Sequence, residues 1–139
     1  AQSRYKKLYP VFQDNGKFLF MYGGVLALAK KYDEAIPLLE KSKNTYNDPN
    51  LWVALGQCYE EIGSYGEARE HYQKAKNIIP HKFYPKYLLV KLLMKIGKTE
   101  EAIVEGRKLL SKEVKVISPA IIEMKEEINN MILLHENSR

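Results

Sequence analysis

The chain has 139 residues but only one cysteine, Cys58, and one tryptophan, Trp52. A lone cysteine excludes an internal disulfide framework. The longest uncharged apolar run, Phe18 to Ala29, is too short for a helical bilayer span, which needs about 20 residues. No secretory signal opens the chain, and the absent initiator methionine gives the expectation of a processed chain or a fragment. The excess of positive charge is spread between the two halves of the chain. The formal net charge is +5, with 11 basic and 9 acidic side chains before residue 81 and 11 and 8 after it, so there is no basic tail. His71, His81 and His135 have no ligand-like spacing to one another or to Cys58. No glycine-rich phosphate loop occurs. The adjacent glutamates Glu60 and Glu61, Glu100 and Glu101, and Glu126 and Glu127 would project about 100° apart on a helix and make poor acid–base pairs. The expectation is a domain with no catalytic residues, no metal and no cofactor. Cys58 is read as a packed thiol and His71 as facing solvent.

What the sequence does have is a repeat. "KKYDEAIPLLEKS" and "GSYGEAREHYQKA" align at an offset of 33, pairing Tyr32 with Tyr65, Glu34 with Glu67, Ala35 with Ala68 and Leu39 with Tyr72. Gly23 and Gly56 share the offset, and "IGKTEEA" follows 34 residues later. Three copies result, spanning 16–48, 49–82 and 83–116. In the second, Trp52, Leu55, Gly56 and Tyr59 lie 3, 1 and 3 apart, the stripe of one helix; Ala68, Tyr72 and Ala75 form the stripe of a second. Asp48 caps the first helix with Pro49 in its first turn, and Gly63 ends it. Gly56 and Ala68 allow the two helices to approach while Trp52, Tyr59 and Tyr72 fill the space around them. Pro37 is expected to delay or bend the second helix of copy one. Such a hairpin cannot bury its stripe alone, so copies must stack.

These residues carry a resemblance. The second copy, with Trp52, Leu55, Gly56, Tyr59, Ala68, Tyr72, Ala75 and Pro80, matches the W-x2-L-G-x2-Y…A-x3-F/Y-x2-A…P pattern and resembles the tetratricopeptide repeat. Copy one (Leu19, Tyr22, Gly23, Leu26, Ala35, Leu39, Ser42) is looser, and copy three has Val90 for the glycine and Gly106 for the aromatic. The resemblance implies an all-α, TPR-type helix-hairpin solenoid (α-α superhelix) as one domain. Residues 1–15, with Ala1, Tyr5 and Leu8 in phase, would be a partial earlier repeat or an N-terminal cap. Ser118 and Pro119 would open a capping helix over 118–136, with Ile121, Ile122, Met124, Lys125, Ile128, Met131, Ile132 and His135 on its packed face.

The resemblance also implies a concave surface on the first helices, lined by the second, fifth, ninth, twelfth and thirteenth residues of each copy. These are Lys17, Phe20, Gly24, Ala27 and Leu28; Asn50, Val53, Gln57, Glu60 and Glu61; and Tyr84, Tyr87, Lys91, Met94 and Lys95. Repeats that clamp a peptide carboxylate use Lys and Asn where Phe20 and Gly24 stand, which argues against that recognition. The expected partner-binding groove comprises Phe20, Gln57, Tyr84, Tyr87, Lys91 and Lys95, and would take a protein or peptide segment unless the C-terminal helix fills it. Lys82, Lys86, Lys91, Lys95 and Lys98 follow one another without an intervening acid. A solvated face explains them best and an anionic partner or membrane surface comes second; nucleic acid is disfavoured because Tyr84 and Tyr87 also suit packing.

Three stretches, "LYPVFQDNGKFLFMYG", "HKFYPKYLLVKLL" and "KVISPAIIEMKEEI", are similar to the C-terminal repeat region of bacterial O-antigen ligase/polymerase-like membrane proteins. That resemblance implies a bacterial parent chain that transfers or polymerises lipid-linked glycans and tethers this domain to the inner membrane, on a side left open. None of the family's catalytic residues falls in this chain. The functional expectation is therefore a non-catalytic protein-interaction module, the alternatives being a structural spacer or an accessory domain completing the parent's active site.

Overall fold

The computed structural model describes residues 2–112 and 117–138. Ala1 and the expected end of the third copy, 113–116, lie outside them. The described residues form eight helices and no strand: α1 (Gln2–Phe12), α2 (Gly16–Leu28), α3 (Tyr32–Ser42), α4 (Pro49–Glu61), α5 (Tyr65–Ile78), α6 (Phe83–Lys95), α7 (Thr99–Ser111) and α8 (Pro119–Asn137). They divide into two compact units, Ala1–Ile78 and Ile79–Arg139. The first unit packs α1 on α2 and holds the hairpins α2–α3 and α4–α5; the second holds the hairpin α6–α7 and α8.

Each copy supplies one hairpin, and the ends of its helices follow from local chemistry. The Asp48 side chain accepts the Asn50 N–H at 2.8 Å, with Pro49 in the first turn. Ser118 accepts from the Ile121 N–H at 3.2 Å in the same way. Asn15, which the periodicity does not mark, caps α2 by accepting from Phe18 N–H at 2.9 Å. Gly63 and Gly97 end the first helices of copies two and three with φ near +84°, returning the chain through Ser64 N–H to Tyr59 O and Lys98 N–H to Leu93 O. α3 begins at Tyr32 and runs through Pro37, so the expected late start does not occur. The proline removes one donor near the helix start and leaves the remaining ladder in place.

Copy one has no glycine at the corresponding position. Lys30 adopts φ 62° there and makes the same turn, with Lys31 N–H bonded to Leu26 O at 2.9 Å. A β-carbon in this region costs about 1–2 kcal/mol, and glycine's extra freedom in the unfolded chain offsets about 0.5–1 kcal/mol of the gain from removing it. Lys30→Gly is therefore expected to stabilise the first unit by up to about 1 kcal/mol, read as a higher urea midpoint at unchanged slope.

The stripes form the cores. In the first unit Leu26, Ala35, Leu39, Leu51, Leu55 and Cys58 are buried together, with Phe20, Tyr46 and Tyr59 packed around them. In the second, Phe83, Tyr87, Val90, Ile103 and Leu109 join Ile128 and Ile132 of α8. Small–large pairs set the helix approach. A methyl group on Gly23 or Gly56 would collide with the side chain of Leu39 or Tyr72, respectively. In copy three the pair is inverted. Val90 faces Gly106, and a β-carbon at Gly106 would lie 3.2 Å from Ile128 Cγ2 and 3.3 Å from Ile132 Cδ1. The notch at Gly106 is thus where α8 seats. Ile121, Met124 and Met131 add to that contact, whereas Ile122, placed on the packed face by sequence, is exposed. It lies about 100° around the helix from Ile121, beyond the seam.

Candidate functional site

The first helix of each copy presents an exposed edge, and its positions differ from those expected. In the first unit α2 exposes Lys17, Met21 and Leu28, and α4 exposes Asn50, Gln57 and Glu61. These are the second, sixth, ninth and thirteenth positions of each copy, 4, 3 and 4 residues apart, with Gly24 and half-buried Ala54 completing the two edges. Leu28 is 87% exposed and Met21 46% exposed, and a methyl on Gly24 would meet no neighbouring heavy atom within 4 Å. Gly24 therefore does not serve close packing, as its neighbour Gly23 does. The α2 edge is apolar, with a cation at its start.

The fifth positions turn inward. Phe20 is half-buried with its ring 5.6 Å from that of Tyr46, and Val53 is buried. Tyr46 comes from the α3–α4 connection, so the stripe pattern gives no sign of it. In the second unit Tyr87 is 8% exposed, and its hydroxyl donates to Glu127 of α8. Tyr84 is exposed and stacks on Tyr87 at 6.1 Å between centroids. Lys91 Nζ lies 3.0 Å from Glu127 Oε1 and 5.2 Å from the Tyr87 ring centre; Lys95 is exposed. Of the six groove residues read from the sequence, Gln57, Tyr84 and Lys95 lie open to solvent. Phe20 lies half-covered, and Tyr87 and Lys91 are engaged by α8.

The Tyr87–Glu127–Lys91 cluster fastens α8 to α6. The hydrogen bond from Tyr87 holds the Glu127 carboxyl below its ordinary range against a burial penalty, and Lys91 adds to the effect. Its own hydrogen bond to Glu127 raises Lys91. A carboxyl whose folded pKa is depressed gives stability that is complete above its unfolded value of about 4.3 and is lost as pH falls through the folded value. Amide protection of α8 is thus expected to be constant from neutral pH to about pH 5 and to fall below it. Glu127→Gln should lower protection at neutral pH and flatten the acid dependence.

The residues screened for chemistry take structural places. Cys58 is buried, and burial raises its thiol to about 11, which removes the thiolate a nucleophile requires. His135 Nε2 is 3.2 Å from Glu100 Oε1. Among the described residues no group of His, Cys, Asp or Glu is placed to hold a metal ion. His71 corrects the reading of the sequence: it is 7% exposed. Its ring lies 5.0 Å from Tyr59 and 5.5 Å from Trp52, and its Nε2 faces Glu40 and Lys43 of copy one. On α5, His71 is covered on two sides, by Trp52 and Tyr59 of its own first helix and by Glu40 and Lys43 of copy one. The signal lay in copy one, where the equivalent residue is the apolar Leu38.

Paired helices of 11–14 residues, small–large pairs at a 33–34-residue offset and a helix closing the last hairpin define a tetratricopeptide-repeat protein. Residues 1–75 match the family described as "Anaphase-promoting complex, cyclosome, subunit 3", and the chain belongs to that family. It is 30% identical over 83 residues to the TPR repeat-containing protein MJ1428 of Methanocaldococcus jannaschii, a match that covers 60% of this chain and 15% of that relative's length. Among solved structures, MamA aligns with a TM-score of 0.74 at 19% identity, over 92% of this chain and 80% of MamA. The Yersinia enterocolitica type III secretion chaperone SycD, crystallised with a peptide of the translocator YopD, aligns with a TM-score of 0.75 at 16% identity, over 88% and 92%. No helix among the described residues is long and apolar enough to cross a membrane.

Proposed function

We propose that this chain is a non-catalytic module that captures a segment of a partner protein on the exposed edges of its first helices. The observation that carries the reading is the row Met21, Gly24 and Leu28 on α2, an apolar edge at helical spacing whose two side chains stay exposed. Solvent exposure of such a row is unfavourable unless another surface removes it from water. Beside it α4 offers Asn50, Gln57 and Glu61, polar groups that set register. In the second unit Tyr84 and Lys95 give an aromatic and cationic edge suited to an acidic stretch. SycD, of the same fold, holds a peptide of YopD, which supports a peptide or protein partner here.

The narrower reading places the module in a bacterial O-antigen ligase/polymerase-like parent, tethered to the inner membrane. It rests on the three stretches quoted from the sequence. The gene upstream of Ala1 tests it: a run of membrane-spanning segments would support the parent, and a further array of repeats would remove it.

The test of the module itself begins with affinity purification from the source cell and identification of co-purifying protein. Met21→Glu with Leu28→Glu, both at exposed positions, is then expected to weaken binding of the recovered partner by tenfold or more while leaving the thermal midpoint in place. Full-strength binding by the folded double variant would overturn the reading.

A further inference from the structure

His71 is a buried ionisable group that partner capture leaves without a role. Its Nδ1 lies 2.7 Å from the Glu67 carbonyl oxygen. A carbonyl only accepts, so Nδ1 carries the proton and Nε2 of the neutral ring is an acceptor. Two groups of opposite charge face that nitrogen from the end of copy one: Lys43 Nζ at 3.4 Å and Glu40 Oε1 at 3.5 Å. The neutral ring can accept from Lys43 but has nothing to give Glu40. Adding a proton to Nε2 reverses both relations: the ring then donates to Glu40 and repels the ammonium.

The surroundings make the exchange self-contained. From α3, Glu40 Oε2 holds Lys43 at 2.7 Å, and Glu40 Oε1 accepts from Tyr59 of α4 at 2.8 Å. Burial raises Glu40, but the hydrogen bonds from Lys43 and Tyr59 outweigh it, so Glu40 stays below its ordinary range and remains a carboxylate. From α4, the Trp52 ring lies beneath Lys43 Nζ at 4.8 Å. From α5, Lys74 Nζ lies 5.6 Å from the same ring, and the Glu67 carboxyl acts on Tyr59.

We propose that His71 is a proton-operated joint between the first two repeats, in which protonation of Nε2 exchanges its partner from Lys43 to Glu40 and displaces the Lys43 ammonium. α2 packs on α3 and α4 packs on α5. A rearrangement where Glu40 and Lys43 meet His71 therefore shifts the α2 and α4 edges relative to each other. Acidification becomes a signal felt at the first unit's exposed surface.

Trp52, the single tryptophan, lies against the joint and reports it by fluorescence. The experiment follows Trp52 emission of the whole chain as the pH is lowered from about 8 to about 5. It follows the imidazole nitrogens by NMR in parallel. One single-proton transition is expected in both signals, with the neutral form carrying its proton on Nδ1. Lys43→Met should move the midpoint to higher pH by removing the opposing cation, and Glu40→Gln should move it to lower pH by removing the accepting anion. His71→Gln should abolish it. If that variant does not fold, the other two decide, since both retain the imidazole. A midpoint that neither variant moves, or a transition that survives in folded His71→Gln, would overturn the joint, whatever becomes of partner capture.

Discussion

Replacing Tyr72 with alanine is expected to lower the unfolding free energy by about 3–5 kcal/mol, the usual cost of deleting a fully buried aromatic ring. Tyr72 has no exposed surface, and its ring fills the space above Gly56, where even a methyl group would collide with it. Alanine would leave that space empty between two helices held apart by their own side chains, with little able to collapse into it. The loss is a large share of the about 5–15 kcal/mol that a domain commonly has. Urea unfolding checks it, with Tyr72→Phe as the control. Phenylalanine keeps the ring and loses the hydroxyl with its 2.9 Å hydrogen bond to Glu60 Oε1, so it should cost about 1 kcal/mol.

Gly106→Tyr has the second large effect, and it runs opposite to expectation from the repeat pattern. Tyrosine is what copy two has at this position, so the change looks like a restoration. In copy two, however, the ring lies over Gly56, while in copy three Val90 stands opposite and α8 occupies the notch. A tyrosine would have to displace Ile128 and Ile132, which are 0% and 6% exposed. Returning two isoleucines to water costs about 1.5–3 kcal/mol each, so a loss of about 3 kcal/mol or more is expected. Hydrogen exchange should show α8 amides losing protection before those of α6 and α7. Adding Val90→Gly should recover part of the loss by reopening a slot on α6, a coupling that a double-mutant cycle measures.

The same two positions mark the reach of the sequence. Hairpins, small–large pairs and the caps at Asp48, Gly63 and Ser118 were legible because each depends on residues close in sequence, at spacings the helix imposes. The inversion at Val90 and Gly106 was legible as a departure, but its purpose was not: the residues that exploit it lie on α8, outside the repeat. The candidate site was less legible for the same reason. Phe20 and Tyr87 sit at expected groove positions, yet one is covered by Tyr46 from a connection and the other by Glu127 from α8. Met21, unmarked by the family positions, is exposed because it lies about 100° from Phe20, on the far side of that cover. Lys30 takes the left-handed turn without glycine because two helices already fix the ends of that turn.

On the function proposed, partners meet the exposed edges of the first helices. A photo-activated benzoyl-phenylalanine at Leu28 or Gln57 tests it most directly, compared with the same group at Glu34 on α3 or Glu70 on α5, both exposed on second helices. The four proteins are irradiated with the partner recovered by affinity purification. A cross-link is expected from Leu28 and Gln57 and none from Glu34 or Glu70. Cross-linking confined to the second-helix positions would contradict it.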